Sequence, residues 1–312
     1  MSVTPPVAGD IEIQPFDAAR DSYEELTGLL HAAYHDLAQM GLNYVAATQD
    51  ERTTRERIVA ATQCLVARRG NEIVGSICYY AACPSLHHPG WYRRADVAFF
   101  GQFAVAPALH GRGIGSRLLE AAQALAAADA KTEFACDTAE AARHLVAYYL
   151  RHGFRSIGRH RWPHAVYDSV ILSKRVGVAI RVAEDTESPD VLRIAHTLPW
   201  TQDAHLSCQL ETGAVDVARD GDRVAGFIAW NREFFARPFV WLTVVDPGFR
   251  GGGIGSLMFA HVERACKGER LYSSANRSRE KMHRFFERRG YARAGEIDLD
   301  PGDPEIFYYI DL

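Results

Sequence analysis

The chain of 312 residues is long enough for two domains, and with 47% hydrophobic and 24% charged residues it has the composition of a soluble globular protein. A net charge of −4 argues against a nucleic-acid-binding protein, and no apolar run is long enough to cross a membrane. The N-terminus lacks the basic region and apolar core of a secretory signal, so we expect a cytoplasmic protein without nucleic-acid or membrane partners. Six cysteines without a Cys-x-x-Cys pair favour buried thiols over disulfides, and no metal site is expected.

The first half alternates strand-like and helix-like segments in an order typical of an α/β unit. Alternating or continuous apolar runs predict strands, and apolar residues that recur every three to four positions predict helices. In chain order we predict a strand at 11–16, helices at 21–40 and 50–60, strands at 64–68 and 72–80, a long aromatic loop at 81–96, a strand at 99–105, a helix from 114, a strand at 132–137, a helix at 141–152 and strands at 154–162 and 169–174.

A strand, a glycine-rich turn and a helix are predicted after the long loop. Pro107 ends the strand because it has no N–H to donate, and Gly111, Gly113 and Gly115 then precede an amphipathic helix. A helix N-terminus offers unpaired backbone N–H groups and partial positive charge, and glycines let a ligand approach the backbone. The pattern predicts an anion cradle for a phosphate or pyrophosphate; the alternative is a tight turn without a ligand.

The second half repeats this pattern and the order of elements around it, β-α-α-β-β-β-α-β-α-β-β. Pro107 aligns with Pro247 and Gly113 with Gly253, at an offset of 140 residues. The short link at 175–179 predicts two domains, one at 10–176 and one at 179–312. In the second domain we predict strands at 180–183, 215–219, 223–230, 239–245, 270–274, 291–297 and 305–310, and helices at 191–198, after the second glycine turn and at 279–289.

This order of elements, with Val-x-Pro before a glycine loop, resembles the GNAT acetyltransferase superfamily in both halves. The resemblance implies an α/β fold of two tandem GNAT domains, each with a mixed, mostly antiparallel central sheet flanked by helices. It implies acetyl-CoA as co-substrate, its pyrophosphate bound by the loop backbone and its pantetheine arm paired with the end of the central strand. The first loop departs from the family pattern, since His110 replaces the usual Arg or Gln. The residues that the resemblance assigns to acetyl-CoA are Phe103, Ala104, Val105, His110, Gly111, Arg112, Gly113, Ile114, Gly115 and Ser116, then Thr243, Val244, Val245, Arg250, Gly251, Gly252, Gly253, Ile254, Gly255, Ser256 and Asn276.

A second family landmark, Tyr-x-x-x-Gly-Phe, is complete in the first half and begins at Tyr149. In the family this tyrosine protonates the leaving thiolate, so the resemblance implies Tyr149 as the acid; the alternative is a core aromatic residue. The second half has Phe286 at this position, which cannot donate a proton. As the base, Asp137 at the end of the fifth strand is a candidate, directly or through water, and its alternative role is a helix N-cap. Glu305 is a candidate in the second half, with a charge at a strand edge as its alternative role, and Gln102 on the central strand cannot act as a base.

Together these features predict an acetyl-CoA dependent N-acetyltransferase that acts on a primary amine of a small molecule or peptide by direct attack in a ternary complex. The alternative is a CoA-binding protein in which one or both domains are non-catalytic and serve as a sensor or a structural unit. We expect the N-terminal domain to be catalytic because it keeps Tyr149 and has longer segments before its central strand, although the C-terminal domain has the fuller glycine loop. The duplicated chain is expected to be a monomer or a homodimer.

Overall fold

The computed structural model describes residues 11–83, 87–199, 203–299 and 302–312. Its first half follows the predicted alternation of strands and helices. The strands are β1 (Ile11–Pro15), β2 (Gln63–Arg69), β3 (Glu72–Tyr80), β4 (Val97–Val105), β5 (Glu133–Ala139), β6 (Arg155–His160) and β7 (Ser169–Arg175). The helices are α1 (Tyr23–Gln39), α2 (Glu51–Ala60), α3 (Ile114–Ala128) and α4 (Arg143–Arg151).

The second half repeats the order. Its strands are β8 (Val178–Val182), β9 (Val215–Asp220), β10 (Arg223–Phe234), β11 (Arg237–Val245), β12 (Arg270–Asn276), β13 (Ala292–Ile297) and β14 (Glu305–Asp311). Its helices are α5 (Ser188–Ala195), α6 (Asp203–Glu211), α7 (Ile254–Ala265) and α8 (Glu280–Arg288).

The two halves form two sheets of seven strands with the same strand order. The first sheet runs β1-β2-β3-β4-β5-β7-β6, and the second runs β8-β9-β10-β11-β12-β14-β13. The pairs β4–β5 and β11–β12 are parallel, and the other pairs for which the register is described are antiparallel. The predicted α/β fold with a mixed, mostly antiparallel sheet in each half is confirmed.

Helix starts in the first half follow from capping side chains. Ser22 accepts a hydrogen bond from the N–H of Glu25 (3.2 Å) at the start of α1, and Asp50 accepts one from Thr53 (2.8 Å) at the start of α2. These side chains satisfy donors that the first helical turn leaves unpaired.

The central strand of each sheet separates from its parallel neighbour. Strand β4 pairs with β5 over Val97–Phe99 alone, although both strands continue, and β11 pairs with β12 over Phe239–Val240. The later part of β4 stays paired with β3 on its other side, down to Val105 opposite Gly75. The backbone between β4 and β5 therefore opens towards the glycine loop that follows β4.

By contact density the chain divides into two compact units. The first comprises the described residues up to Ala142 together with Ser156–Val176, and the second comprises Arg143–Arg155 together with the described residues from Gly177 onwards. Helix α4 thus belongs to the second unit, although it lies within the predicted N-terminal domain at 10–176, whose first residue is outside the described part.

Several predicted boundaries shift, and one helix had not been located. The repeated order required two helices between β8 and β9, but the sequence pattern placed only the first; the second is α6, whose apolar residues form a weak stripe. Within the predicted long loop, Gly90–Arg93 forms a short 3₁₀ turn, and residues 84–86 are outside the described part. Asp137 lies inside β5 rather than at its end, and α4 begins six residues later, so the predicted N-cap alternative is wrong.

Candidate functional site

The first glycine loop has the backbone geometry of an anion cradle. Gly111 and Gly113 adopt left-handed φ angles of 75° and 80°, and Gly113 is the N-cap of α3. The helical ladder starts with the bond from the Arg117 N–H to the Gly113 carbonyl (3.1 Å), so the N–H groups of Ile114 and Gly115 precede that ladder. A Cβ placed on Gly111 or Gly113 would have no heavy atom within 4 Å, so the space beside both residues is open. An anionic ligand can therefore reach this backbone.

The second loop has the same backbone but different surroundings. Gly251 and Gly253 adopt φ angles of 77° and 82°, and Gly253 is the N-cap of α7. A Cβ on Gly253 would lie 2.9 Å from Cδ and 3.2 Å from Nη1 of Arg155, which belongs to the same compact unit. An arginine side chain therefore lies over the second loop.

His110 makes a hydrogen bond that corresponds to one made by Arg250 in the second half. Its Nε2 donates to the carbonyl of Val105 (3.0 Å), and Nε of Arg250 donates to the carbonyl of Val245 (3.2 Å) at the matching position. Both side chains bind the last residue of the central strand. The departure from the family pattern at His110 therefore preserves the link between strand and loop.

The segments predicted to face the pantetheine arm lie beyond the strand separation in both sheets. In the first sheet this is Phe103–Val105, and the Phe103 carbonyl accepts a hydrogen bond from the Tyr34 hydroxyl (3.2 Å). In the second it is Thr243–Val245, where Thr243 lies opposite Ile228.

A cavity of about 430 Å³ lies in the first unit, beside the separated part of β4. Its volume is in the range of small-molecule binding sites. Its wall is largely aromatic and includes Tyr34, Tyr44, Tyr80, Phe99, Trp162 and Tyr167. Neighbouring rings hold one another in place: Tyr80 stacks on Phe99 at 4.8 Å, and Tyr44 contacts Tyr167 at 5.0 Å.

Asp137 contributes a carboxylate to this cavity. Its Oδ1 accepts a hydrogen bond from the Tyr92 hydroxyl (3.1 Å), and its Oδ2 accepts one from Trp162 Nε1 (2.8 Å). Each carboxylate oxygen keeps a second lone pair for a further donor. The candidate base therefore lies in a cavity that can hold a small molecule, fixed by two neutral donors.

Gln102 is a buried polar residue on the wall of the same cavity. It is 6% exposed, and neither its Oε1 nor its Nε2 has a hydrogen-bond partner among the described residues. It has a φ of 50°, because it lies in an irregularity where β4 shifts register against β3. Sequence reasoning considered Gln102 only as a base and missed this unpaired amide.

Tyr149 lies buried on α4, in the second compact unit. Its ring packs edge-on against those of Phe154 (5.6 Å) and Tyr148 (5.4 Å). Gly153 has a φ of 84°, and the N–H of Phe154 bonds back to the Tyr149 carbonyl (3.0 Å). The Gly-Phe of the landmark therefore ends the helix and fixes an aromatic ring against Tyr149.

A buried ion pair in the second unit fixes the end of α4. Arg289, 1% exposed, donates through Nε to Glu263 (3.0 Å) and through Nη1 to the Leu150 carbonyl (2.9 Å). The Tyr291 hydroxyl donates to the same carboxylate (3.1 Å), and burial raises the pKa of Tyr291 well above its usual range. The arginine satisfies a carbonyl at the negative end of the helix dipole.

The remaining predicted residues of the second half have structural contacts. Phe286 is fully buried and stacks on Tyr308 at 4.9 Å. Asn276 donates to the Asp303 carbonyl (3.2 Å), and Glu305 begins β14 opposite Asn276.

Neither a membrane-spanning helix nor a metal-binding cluster occurs in the part of the chain that the structure describes. No helix there combines the length and the apolar character needed to cross a bilayer. No three or more His, Cys, Asp or Glu side chains come together there in a way that could hold a metal ion.

Comparison with known proteins identifies the family. The family model described as "Acetyltransferase (GNAT) family" matches residues 27–154 and 182–291, more than half of the chain. The chain therefore belongs to the GNAT acetyltransferase family and contains two tandem GNAT domains, which confirms the resemblance drawn from its motifs.

Similar solved structures include three acetyltransferases, each aligned over nearly its whole length. One is a GNAT family acetyltransferase from Bacillus cereus (23% identity, 43% of this chain and 96% of that chain, TM-score 0.39). Another is an acetyltransferase from Streptococcus agalactiae (20%, 54% and 99%, 0.43). A third, from Elizabethkingia anophelis, was solved with acetyl-CoA bound (16%, 54% and 99%, 0.39). A comparison with curated proteins finds no significant match.

Proposed function

We propose that the chain is an acetyl-CoA dependent N-acetyltransferase that acetylates a primary amine of a small molecule or peptide. One observation carries the proposal: the open glycine loop that follows β4 belongs to the same unit as a cavity with a carboxylate, and β4 borders both. An anion cradle and a pocket with a candidate base are the two parts that acetyl transfer between a nucleotide thioester and an amine requires. We also propose a cytoplasmic monomer or homodimer without nucleic-acid or membrane partners; the net charge of −4 is the observation that disfavours a nucleic-acid partner.

The loop from His110 to Ser116 would hold the pyrophosphate of acetyl-CoA through backbone N–H groups, and the backbone of Phe103–Val105 would pair with the pantetheine arm. The open space beside Gly111 and Gly113 fits this assignment. When bound, acetyl-CoA supplies the acetyl group as co-substrate. The second set, Thr243–Val245, Arg250–Ser256 and Asn276, is proposed as the corresponding surface of the second half.

Two residues would handle protons during the transfer. Asp137 takes one proton from the substrate ammonium, directly or through a water, and releases it to solvent, which leaves a neutral amine. The nitrogen lone pair then forms the C–N bond of the product while the C–S bond to CoA breaks. Tyr149 donates its hydroxyl proton to the sulfur, and the second proton lost by the nitrogen restores the tyrosine. Ammonium and thioester thus become amide, thiol and one released proton.

We propose that the second half carries no chemistry of its own. Phe286, at the position that matches Tyr149, has no proton to donate and is fully packed in the core of its unit. The side chain of Arg155 lies over the second glycine loop. These observations favour the alternative of a non-catalytic domain for the second half alone.

The proposal is tested by incubating the purified chain with acetyl-CoA and a panel of primary amines. We expect amine-dependent release of free CoA thiol, together with a product that carries one acetyl group by mass spectrometry. Thiol release that does not depend on amine, or none with any amine, would contradict the proposal.

A further inference from the structure

The cavity beside β4 has the walls of a site for a flat, apolar group. Aromatic rings reach it from α1, from the turn after α1, from β3 and β4 and from the segment before β7, and they contact one another pairwise. Tyr34 and Tyr44 lie edge-on at 5.4 Å, and Trp162 meets His88 edge-on at 5.2 Å. Such walls favour an aromatic ligand, because stacked and edge-on ring contacts stabilise a bound ring beyond simple burial.

The cavity also has a carboxylate without an ion-pair partner, although Arg57 lies on the same wall. Within the described residues Asp137 has two neutral hydrogen-bond donors and no ion-pair partner within 4 Å, whereas the other cavity carboxylate, Glu56, is paired with Arg52 (3.1 Å). Burial raises the pKa of four cavity tyrosines, so these stay neutral and add no negative charge: Tyr34, Tyr44, Tyr80 and Tyr167. One unpaired carboxylate among neutral rings favours a ligand with a single ammonium group. Cation–π contacts with the aromatic rings favour such a ligand further. Arg57 on the same wall disfavours a polycation.

Gln102 adds a neutral polar group to the wall. Its amide is nine-tenths buried and unpaired on both Oε1 and Nε2, which costs free energy unless a ligand supplies partners. An amine can supply the partner for Oε1, because its N–H groups donate to that oxygen while it approaches the separated edge of β4. Gln102 therefore has the chemistry to position an amine rather than to deprotonate it.

We propose that the acceptor of this enzyme is an arylalkylamine, a single primary amine joined to an aromatic ring by a short aliphatic chain. The ring lies among the tyrosines and Trp162, the ammonium faces Asp137, and Gln102 orients the nitrogen. This inference rests on the proposed acetyl transfer and specifies its substrate class.

Turnover of three amines and a peptide distinguishes an arylalkylamine acceptor from other classes of acceptor. In the thiol-release assay, 2-phenylethylamine is compared with 2-cyclohexylethylamine, which has the same chain and amine without an aromatic ring, with spermidine and with a lysine-containing peptide. We expect kcat/KM for 2-phenylethylamine to exceed that for each of the others by about tenfold or more. Equal or faster turnover of the cyclohexyl amine, spermidine or the peptide would overturn the substrate class.

A calorimetric titration with acetyl-CoA distinguishes a wrong substrate class from a wrong proposed function. Binding of acetyl-CoA with turnover of a non-aromatic amine alone, or of none of the four, overturns the arylalkylamine proposal. Absence of acetyl-CoA binding overturns the proposed acetyl transfer itself.

Two pairs of variants test the residues assigned to the substrate. Tyr167→Ala should raise KM for 2-phenylethylamine by about tenfold and remove the preference over the cyclohexyl amine, whereas Tyr167→Phe, which keeps the ring, should keep the preference and raise KM less. Gln102→Met should lower kcat/KM by about tenfold, and Gln102→Glu, which keeps an acceptor oxygen, should lose less. Unchanged acetyl-CoA affinity shows that each variant is folded. Wild-type amine kinetics in both Tyr167→Ala and Gln102→Met would overturn the assignment.

Discussion

At the residue scale, the proposed reaction depends on two groups that would carry protons. Tyr149 is buried within an aromatic cluster at the end of α4, and Asp137 is fixed by donors from Tyr92 and Trp162. Tyr148, which contacts Tyr149, and Glu56, which lines the same cavity as Asp137, are not assigned to the reaction and serve as controls.

Replacing Tyr149 with Phe removes one hydroxyl and leaves the packing of the ring in place. We expect kcat to fall by about 10²-fold or more because the thiolate loses its proton donor, with little change in the acetyl-CoA dissociation constant. The matched control is Tyr148→Phe on the same helix, which should retain kcat. Equal kcat in the wild type and Tyr149→Phe would remove Tyr149 as the acid.

Asp137→Asn removes the candidate base while keeping its shape. We expect kcat/KM near neutral pH to fall by about 10²-fold. In the wild type the base accepts the ammonium proton, so kcat/KM does not depend on amine that is already neutral. The variant depends on amine that is already neutral, and its kcat/KM should therefore rise about tenfold per pH unit towards the amine pKa.

The control for this profile is Glu56→Gln, which removes the other cavity carboxylate. It should keep the wild-type pH dependence, because the Glu56 side chain is exposed and paired with Arg52. Parallel pH profiles for the wild type and Asp137→Asn would show that Asp137 is not the base.

At the element scale, α4 is a short helix that tertiary contacts hold in place. It has nine residues, too few to be stable as an isolated helix, so its position depends on tertiary contacts. Within its unit the contact from Arg289 to the Leu150 carbonyl supplies one, and the close approach of Gly153 to Leu257 supplies another. A Cβ on Gly153 would lie 2.7 Å from Leu257 Cδ2, so this glycine is required for packing as well as for its positive φ.

Arg289→Ala should lower the free energy of unfolding by roughly 3–5 kcal/mol, because it leaves the Glu263 carboxylate buried without its cation. Urea denaturation measures the change. The control is Arg288→Ala at the adjacent exposed position, where we expect a change within about 0.5 kcal/mol. An equally small change in the free energy of unfolding for Arg289→Ala would show that the ion pair contributes little to stability.

At the scale of the whole molecule, one fold occurs twice with different sites. Both sheets share strand order, separated central strands and a glycine turn with left-handed N-cap. In the described part of the chain, the loop of the first half has open space beside Gly111 and Gly113, whereas the loop of the second half has Arg155 beside Gly253; Phe286 stands where the first half has Tyr149. Duplication thus preserved the scaffold more closely than the site.

The sequence predicted the features that depend on local pattern. The glycine turns could be predicted because positive φ at Gly113 and Gly253 is a local backbone requirement, and the shared order of elements in the two halves follows from the sequence repeat. Helix α6 was not located because its burial comes from tertiary packing and its apolar stripe is weak. The cavity was also beyond sequence reasoning: Tyr34, Trp162 and Tyr167 are far apart in the chain and meet only after folding. Aromatic residues concentrated at 88–92 and 162–167 were the one sequence signal for it.

The most direct test is a calorimetric titration of acetyl-CoA into the wild type and into a matched pair of loop variants, Gly113→Ala and Gly253→Ala. A Cβ at either position strains a left-handed backbone; at Gly253 it also meets the flexible end of Arg155. We expect saturable binding in the wild type, a loss of about tenfold or more in affinity together with loss of turnover in Gly113→Ala, and turnover retained in Gly253→Ala. No binding by the wild type, or turnover lost in Gly253→Ala and retained in Gly113→Ala, would contradict the account.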